Sequence, residues 1–247
     1  MNLSNLRAAM LGLALSGTLG LTACGTPAPI EQHELAAHCG SALDGKRVAL
    51  ALRYRQRVWT DGKTHLIGTQ AGPGEYELRD YDFERELVDN ALVVEFERVM
   101  NTRGQLQLLR PRLVEAIESS CATFVEQPDQ ADLLLSATIE FGPTPAPAYA
   151  DHQLARSAVS RVLTLGLAPD SYQLRGDYRL ELSLGAPYST QAWVAHEYIT
   201  EESQDFSASR FNLNLNRNNG TAATELFDQL LKRDISDFLE RIPHGNQ

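Results

Sequence analysis

The sequence is short of positive charge. Its 247 residues contain 22 lysines and arginines against 32 aspartates and glutamates, which gives a formal net charge of −10. Nucleic-acid binding depends on concentrated lysine and arginine, so this balance argues against a general nucleic-acid binder. The same balance argues against broad electrostatic adhesion to anionic membranes. We therefore expect no nucleic-acid partner.

The common catalytic and metal-binding motifs are also missing. The sequence contains no C-x-x-C, no H-E-x-x-H, no G-x-S-x-G and no phosphate-loop lysine. His38 and Cys39 form the only neighbouring His–Cys pair, and the glycines of residues 68–74 precede a strand pattern instead of a helix. We therefore predict no catalytic residue, no metal site and no cofactor, and we expect that the protein is not an enzyme.

Charge is nearly absent from the N-terminal segment, where Arg7 is the only charged residue before Glu31. Residues 8–23 are apolar or small, but this stretch is too short and too rich in glycine to suit a bilayer span, which needs about 20 predominantly apolar residues. A positively charged N-terminus, a short apolar middle and small residues at the end are typical of a secretory signal peptide.

The end of this segment, Leu21–Cys24 (LTAC), resembles the lipobox of bacterial lipoproteins, and the resemblance covers about the first 25 residues. In that family the signal peptide is cut before the cysteine, and the cysteine sulfur carries a diacylglycerol. The resemblance implies lipidation of Cys24 and a membrane partner bound through the lipid. An ordinary secreted protein and a transmembrane anchor are the alternatives.

The residues after Cys24 bear on the membrane that receives the protein. In lipoproteins an aspartate at this place favours retention at the inner membrane, whereas this chain has Gly25 and Thr26. The resemblance therefore implies an outer-membrane protein that faces the periplasm, and the inner membrane is the alternative.

Only three cysteines occur in the chain. Once Cys24 is assigned to lipid, Cys39 and Cys121 remain as an even pair in an oxidising compartment. We predict a disulfide between them that closes a loop of about 80 residues and stabilises the fold by a few kcal/mol. Two buried free thiols are the alternative.

The spacing of apolar residues predicts the secondary structure. Alternation predicts strands at residues 46–59, 64–69, 75–79, 105–109, 132–141, 172–184 and 190–201. Spacings of three and four predict helices at residues 82–101, 111–121, 152–165 and 221–242. The polar stretch at 211–220 is typical of a loop or a short edge strand. We expect the last helix to pack on the sheet, and a membrane-surface helix is the alternative.

This order of elements indicates an α+β fold with a mainly antiparallel sheet and helices packed on one face, including the C-terminal amphipathic helix. The predicted organisation has three parts. Residues 1–23 are the signal peptide, residues 24–44 are the lipidated cysteine and a tether, and residues 45–247 are a single periplasmic domain.

Three arginines form the one cluster of positive charge that we consider for binding. Arg53, Arg55 and Arg57 fall on the same face of the first strand. This stripe is a candidate site for lipid phosphates or for an acidic patch on a partner. A solvated edge face is the alternative.

The layout of the whole chain resembles small α+β periplasmic lipoproteins that assist envelope machines. These are the lipopolysaccharide-assembly lipoprotein and the auxiliary lipoproteins of ABC-type transporters. The shared features are the lipobox and tether, the strand that begins ADLLL at residue 131, the hairpin of residues 172–199 and the helix of residues 221–242.

The resemblance implies a non-enzymatic accessory role in lipid or lipopolysaccharide traffic, docked to an outer-membrane barrel or to an ABC transporter complex. Two other functions stay open. One is an envelope hydrolase that acts on cell wall or lipid, and the other is a structural, peptidoglycan-associated lipoprotein.

The first prediction concerns the anchor. Cys24→Ala removes the sulfur that accepts the lipid, so we expect the protein to be released from the membrane fraction. Immunoblots of membrane and soluble fractions measure this release. A variant that stays membrane-bound contradicts the lipid anchor.

Overall fold

The computed structural model of the chain describes residues 30–59, 76–81, 93–95, 98–142, 146–164, 168–208 and 214–244. Within these residues, nine strands form one sheet accompanied by four α-helices. The strands are β1 (Arg47–Trp59), β2 (Tyr76–Asp80), β3 (Val93–Glu95), β4 (Arg98–Met100), β5 (Thr123–Phe124), β6 (Leu133–Phe141), β7 (Ala148–His152), β8 (Asp170–Gly185) and β9 (Ala192–Ala208). The helices are α1 (Thr102–Leu106), α2 (Leu109–Ser119), α3 (Leu154–Leu163) and α4 (Leu215–Glu240), and a 3₁₀ turn occupies Pro128–Gln130.

Strand β8 is the centre of the sheet. β9 pairs with one side of β8 along its length, while β6 and β7 lie end to end along the other side. β1 and β2 continue the sheet beyond β6, and β4 and β3 continue it beyond β7. Among the described strands, only the β1–β6 and β1–β5 pairs are parallel. The predicted α+β fold with a mainly antiparallel sheet is therefore confirmed.

Strand β6 shows why the core lies on one face of the sheet. Its residues alternate strictly between buried and partly exposed. The buried members are Leu133, Leu135, Ala137, Ile139 and Phe141. Successive side chains of a strand point to opposite faces, so the apolar half of β6 faces the core and its polar half faces away.

Helix α4 covers the core face. Its buried apolar side chains are Ala222, Ala223, Leu226, Phe227, Leu230, Leu231, Ile235, Phe238 and Leu239. It runs so close to β8 that a Cβ added to Gly176 would lie 2.6 Å from Cδ1 of Leu230. The expected packing of the C-terminal helix on the sheet is confirmed. Among the described residues, no helix is long and apolar enough to span a membrane, and this includes α4.

Helices α1 and α2 lie between β4 and β5 in the chain. Asn101 caps α1, because its side-chain oxygen accepts a hydrogen bond from the N–H of Gly104 at 3.0 Å. Pro111 stands in the first turn of α2, where its missing N–H costs little. Arg112 then holds α2 to α4, since its Nε lies 2.6 Å from Oδ1 of Asp228.

The predicted helix over residues 82–101 is wrong where the structure describes it, because β3 and β4 occupy its second half. Val99 of β4 pairs with β7, and both Val99 and Met100 are buried. β-Branched residues fit a pleated, half-buried surface, and pairing with β7 overrides the helical spacing. Residues 82–92 and the predicted strand at 64–69 lie outside the described residues.

The predicted strand at residues 105–109 is also wrong, because these residues belong to α1, the connecting turn and the start of α2. The buried side chain of Gln105 explains the difference. Its amide donates to the carbonyl of Ala148 and accepts from the N–H of Ala148, each at 2.8 Å. This contact with a distant strand fixes the helix, and no local pattern reveals it.

The sequence pattern at residues 211–220 predicts a loop, but α4 begins at Leu215. Asn219 and Gly220 are buried in its first turns. Both residue types have a low helix propensity, which tertiary packing overrides here.

Residues 30–44, the later part of the predicted tether, contact the folded body from Ile30 onward. The N–H of Ala42 donates to the carbonyl of Pro243 at 2.8 Å. Leu43 is buried in the core. Apolar side chains of this segment are therefore packed against the domain instead of being exposed to solvent.

An ion pair joins the start of β1 to the residue before β6. Arg47 Nη2 donates to Oδ1 of Asp132 at 2.9 Å, and the Arg47 backbone N–H donates to Oδ2 at 2.9 Å. The side-chain hydrogen bonds of Arg47, together with the one from its backbone, lower the pKa of Asp132 from 3.8 to about 2. A carboxyl whose pKa is lowered by folding stabilises the fold above its unfolded-state pKa, and this stabilisation is lost as the pH falls through the folded-state value.

We therefore expect Asp132→Asn to lower the thermal midpoint at neutral pH, with a difference from wild type that shrinks between pH 3.8 and about 2. Thermal melts followed by circular dichroism at a series of pH values measure this. Asp129→Asn, at an exposed position in the 3₁₀ turn, is the control. If Asp132→Asn lowers the thermal midpoint by the same amount at every pH, the result contradicts the assigned role of the carboxylate.

Candidate functional site

The described part of the chain begins at one edge of the fold. Cys24 lies outside the described residues, and the described chain begins at Ile30. Ile30 lines a cavity of about 280 Å³ between β9 and α4. The N–H of His33 donates to Oε1 of Gln229 in α4 at 2.6 Å. The N-terminal segment therefore joins the domain at the open edge formed by β9 and α4.

The structure contains the predicted disulfide between Cys39 and Cys121, whose Cα atoms lie 5.1 Å apart across a sequence separation of 82. Cys121 follows α2 with a φ of 58°, a left-handed conformation that commonly closes a helix. Its N–H donates to the carbonyl of Glu118 at 3.1 Å. The disulfide therefore fixes the N-terminal segment to the end of α2.

Arg53, Arg55 and Arg57 lie along β1, and their positive charges are matched within the sheet. Three carboxylates lie around them: Asp80 at the end of β2, Glu140 of β6 and Asp177 of β8. Arg53 Nη2 lies 2.9 Å from Asp80 Oδ2, and Arg57 Nη2 lies 3.0 Å from Asp177 Oδ1. Binding of this stripe to an anionic partner stays a prediction.

A buried carboxylate, Asp234 of α4, is bonded to the sheet. Its Oδ2 accepts hydrogen bonds from the hydroxyls of Tyr178 at 2.7 Å and Thr200 at 3.3 Å. These two residues stand opposite each other on β8 and β9. Arg233 Nη2 donates to Oδ1 at 2.9 Å. Burial raises the pKa of Asp234, and burial together with the neighbouring Asp234 charge raises the pKa of Tyr178.

This cluster serves the fold. Both oxygens of Asp234 accept hydrogen bonds from protein donors, and Tyr178 is buried, so the cluster presents no carboxylate to a cleft. In the described part of the chain, no group of three His, Cys, Asp or Glu side chains is placed to hold a metal ion. The prediction that the protein is not an enzyme stays a prediction.

Strand β9 leaves one side of the sheet open. It pairs with β8 on one side, and none of the described strands pairs with its other side. Such a strand presents backbone N–H and C=O groups that can pair with an extended segment of another protein. Trp193 and Ile199 are 61% and 63% exposed. We therefore take β9 as the candidate interaction surface.

Alternation predicts the strand at residues 190–201 but does not identify Trp193 and Ile199 as surface residues. Their exposure depends on two features that alternation does not reveal. β9 is an edge strand, and the buried side chains of β8 and β9 face α4 on one side of the sheet only.

No family model matches the sequence, and no curated protein matches it. Solved structures that are similar to the chain over much of its length include the following three, each with a TM-score below 0.5. A Xanthomonas campestris protein of the DUF330 family is 12% identical, with a TM-score of 0.37 over 86% of this chain and 95% of its own.

The second is a proposed homolog of the neuraminyllactose-binding hemagglutinin from Helicobacter pylori, which is 7% identical, with a TM-score of 0.36 over 85% of this chain and 88% of its own. The third is a proposed lipoprotein from Caulobacter crescentus, which is 15% identical, with a TM-score of 0.26 over 57% of this chain and 86% of its own. Likeness at this level does not assign the chain to a family.

A prediction follows for the disulfide. The double variant Cys39→Ser/Cys121→Ser frees a loop of 82 residues in the unfolded chain, so we expect the free energy of unfolding to fall by about 4.5 kcal/mol. Urea denaturation measures this loss, and reduction of the wild type should reproduce it. Mass mapping without reductant that finds both thiols free in the wild type contradicts the prediction.

Proposed function

We propose that the protein is a lipoprotein of the bacterial envelope, anchored in the outer membrane by acyl chains on Cys24 and facing the periplasm. The motif Leu21–Cys24 behind a signal-like segment supports the anchor. Each acyl CH₂ that enters the bilayer contributes about 0.8 kcal/mol, so several chains on one residue hold the protein firmly. The Cys39–Cys121 disulfide is in keeping with the oxidising periplasm.

The role that we propose is non-enzymatic. The protein acts as an accessory or binding component of a machine that transports or assembles envelope lipid or lipopolysaccharide. The observation that carries this proposal is the open side of β9, a strand of 17 residues. Addition of a partner strand to an exposed sheet edge is a common mode of protein recognition.

The partner that fits this surface is an envelope protein with an extended segment. The anchor supports this choice, because Ile30 brings the chain into the fold beside β9. A lipid on Cys24 therefore keeps the open strand close to the proteins of the same membrane. The partner that we propose for an anchor in the outer membrane is an outer-membrane barrel, and an ABC transporter complex is the partner for the alternative anchor in the inner membrane.

In-cell photocrosslinking tests this role. A photoreactive amino acid replaces Ile199 on β9 or, as a control, Leu78 on β2, which is 42% exposed at the other end of the sheet. We expect the probe at position 199 to capture one identified outer-membrane barrel or transporter subunit, confirmed by crosslinking from the partner's side. The probe at position 78 should not capture it. Equal capture from both positions, or none from position 199, contradicts the proposed role of β9.

A further inference from the structure

Helix α3 has its apolar face turned away from the protein. Leu154, Val159, Val162 and Leu163 are 53%, 62%, 78% and 79% exposed. Together with Ala155 and Ala158, they recur at spacings of three and four residues, which place side chains on one face of a helix. Scattered exposed apolar residues need no explanation, but a contiguous apolar helix face marks an interaction site.

The polar side of α3 is the side that holds it to the domain. Ser157 is buried, and its hydroxyl oxygen accepts a hydrogen bond from the N–H of Ser171 at 2.9 Å. Arg161 Nε donates to Oδ1 of the buried Asp170 at 2.8 Å. These contacts determine which face of α3 points outward, so the exposure of its apolar face is fixed by specific bonds.

Helix α3 is attached to the same stretch of β9 as the N-terminal segment. Arg156 Nη1 donates to Oδ2 of Asp205 in β9 at 2.7 Å. The residue before Asp205, Gln204, lines the same cavity as Ile30. Neighbouring residues of a strand are about 3.3 Å apart and point to opposite faces, so α3 and the beginning of the described chain contact the same stretch of β9 from its two faces.

The sequence sets a limit on how far this point lies from the anchor. Ile30 follows Cys24 by six positions. A chain of this length spans at most about 20 Å when fully extended. Acyl chains on Cys24 therefore hold the corner of the domain that carries α3 close to the surface of the bilayer.

We propose that α3 is a membrane-surface helix, which places its apolar face in the same bilayer that holds the acyl chains of Cys24. The inference rests on the proposed anchor. Such helices lie in the plane of the membrane with the apolar face buried about 5–10 Å into the interface between headgroups and acyl chains. A flexible lipid anchor alone leaves the domain free to rotate, whereas this second contact fixes the direction in which β9 faces.

The composition of α3 supports lipid as its occupant. The helix has no acidic residue, and its two arginines, Arg156 and Arg161, are paired with Asp205 and Asp170 of the domain, so the outward face offers apolar side chains without negative charge. An apolar helix face beside a lipid anchor adds buried apolar area at the membrane interface. The negative charge of the rest of the protein argues against broad electrostatic adhesion but not against a local, apolar contact next to a lipid anchor.

Fluorescence quenching in vesicles tests the inference. The full chain is expressed with its own N-terminal segment, purified from membranes and reconstituted in vesicles of phosphatidylethanolamine and phosphatidylglycerol. A single environment-sensitive label is attached to Val162→Cys in α3 or, as a control, to Tyr188→Cys. These positions are matched in exposure, at 78% and 80%, but Tyr188 lies in the connection between β8 and β9.

We expect lipids brominated near the glycerol end of their acyl chains to remove most of the fluorescence of the label at position 162 and to leave the label at position 188 unchanged. Iodide in the buffer should quench the labels in the reverse order. The substitution Val159→Glu, in the middle of the exposed face, should make the label at position 162 accessible to iodide while the protein still floats with the vesicles.

Three results overturn the inference. Quenching of the label at position 162 by iodide shows that α3 stands in water. A label at position 162 that is protected from both quenchers shows that protein covers α3, either a second copy or a partner. In both cases flotation with the vesicles leaves the proposed anchor intact. A protein that does not float with the vesicles contradicts the anchor and the inference together.

Discussion

The packing of helix α4 on the core face of the sheet is the interaction on which the rest of the structure depends. Burying a large apolar side chain contributes about 1.5–3 kcal/mol, whereas an exposed ion pair contributes about 0–1 kcal/mol. The apolar side of α4, with Phe227 and Phe238 fully inside, therefore supplies most of the attraction. Polar residues of the same helix then fix its neighbours: Asp228 binds α2, Gln229 binds the N-terminal segment, Asp234 binds β8 and β9, and Asp237 binds β9.

Because the core lies on one face of the sheet, the arginines of β1, the open side of β9 and the exposed face of α3 lie on the opposite face of the sheet or at its edges. On β1, this arrangement places Arg53 and Arg57 where carboxylates of neighbouring strands neutralise them. On the opposite side it leaves β9 with an open strand edge, and it leaves α3 attached by its polar side. The described chain begins at this same corner, where Ile30 lines the cavity beside β9. The beginning of the described chain, the open edge and the exposed helix thus lie around the same stretch of β9, and this arrangement supports the proposal of a membrane-held binding protein.

The sequence predicted the elements whose apolar spacing is long and regular. Strand β6 and helix α4 were found because their patterns are set by burial against a large core. The disulfide was predicted by counting cysteines once Cys24 had been set aside. The predictions failed where a distant contact decides the structure, as with Val99 pairing to β7 and Gln105 bonding to Ala148.

The candidate site was harder to predict than the fold. Spacing identifies α3 as an amphipathic helix, but it does not tell which of its faces meets the domain. That choice is made by contacts such as that of Ser157 with Ser171, which join residues of separate elements. In the same way, three arginines in alternation predict a positive stripe, but only the sheet pairing reveals that Asp177 and Glu140 stand beside it.

The central claim is that the mature protein begins at a lipidated Cys24. Intact mass spectrometry of the protein extracted from membranes tests this claim most directly. The account predicts a chain that lacks residues 1–23 and carries the added mass of a diacylglycerol on its N-terminal cysteine. An unmodified chain, whether it begins at Met1 or at any residue after the signal segment, would contradict it.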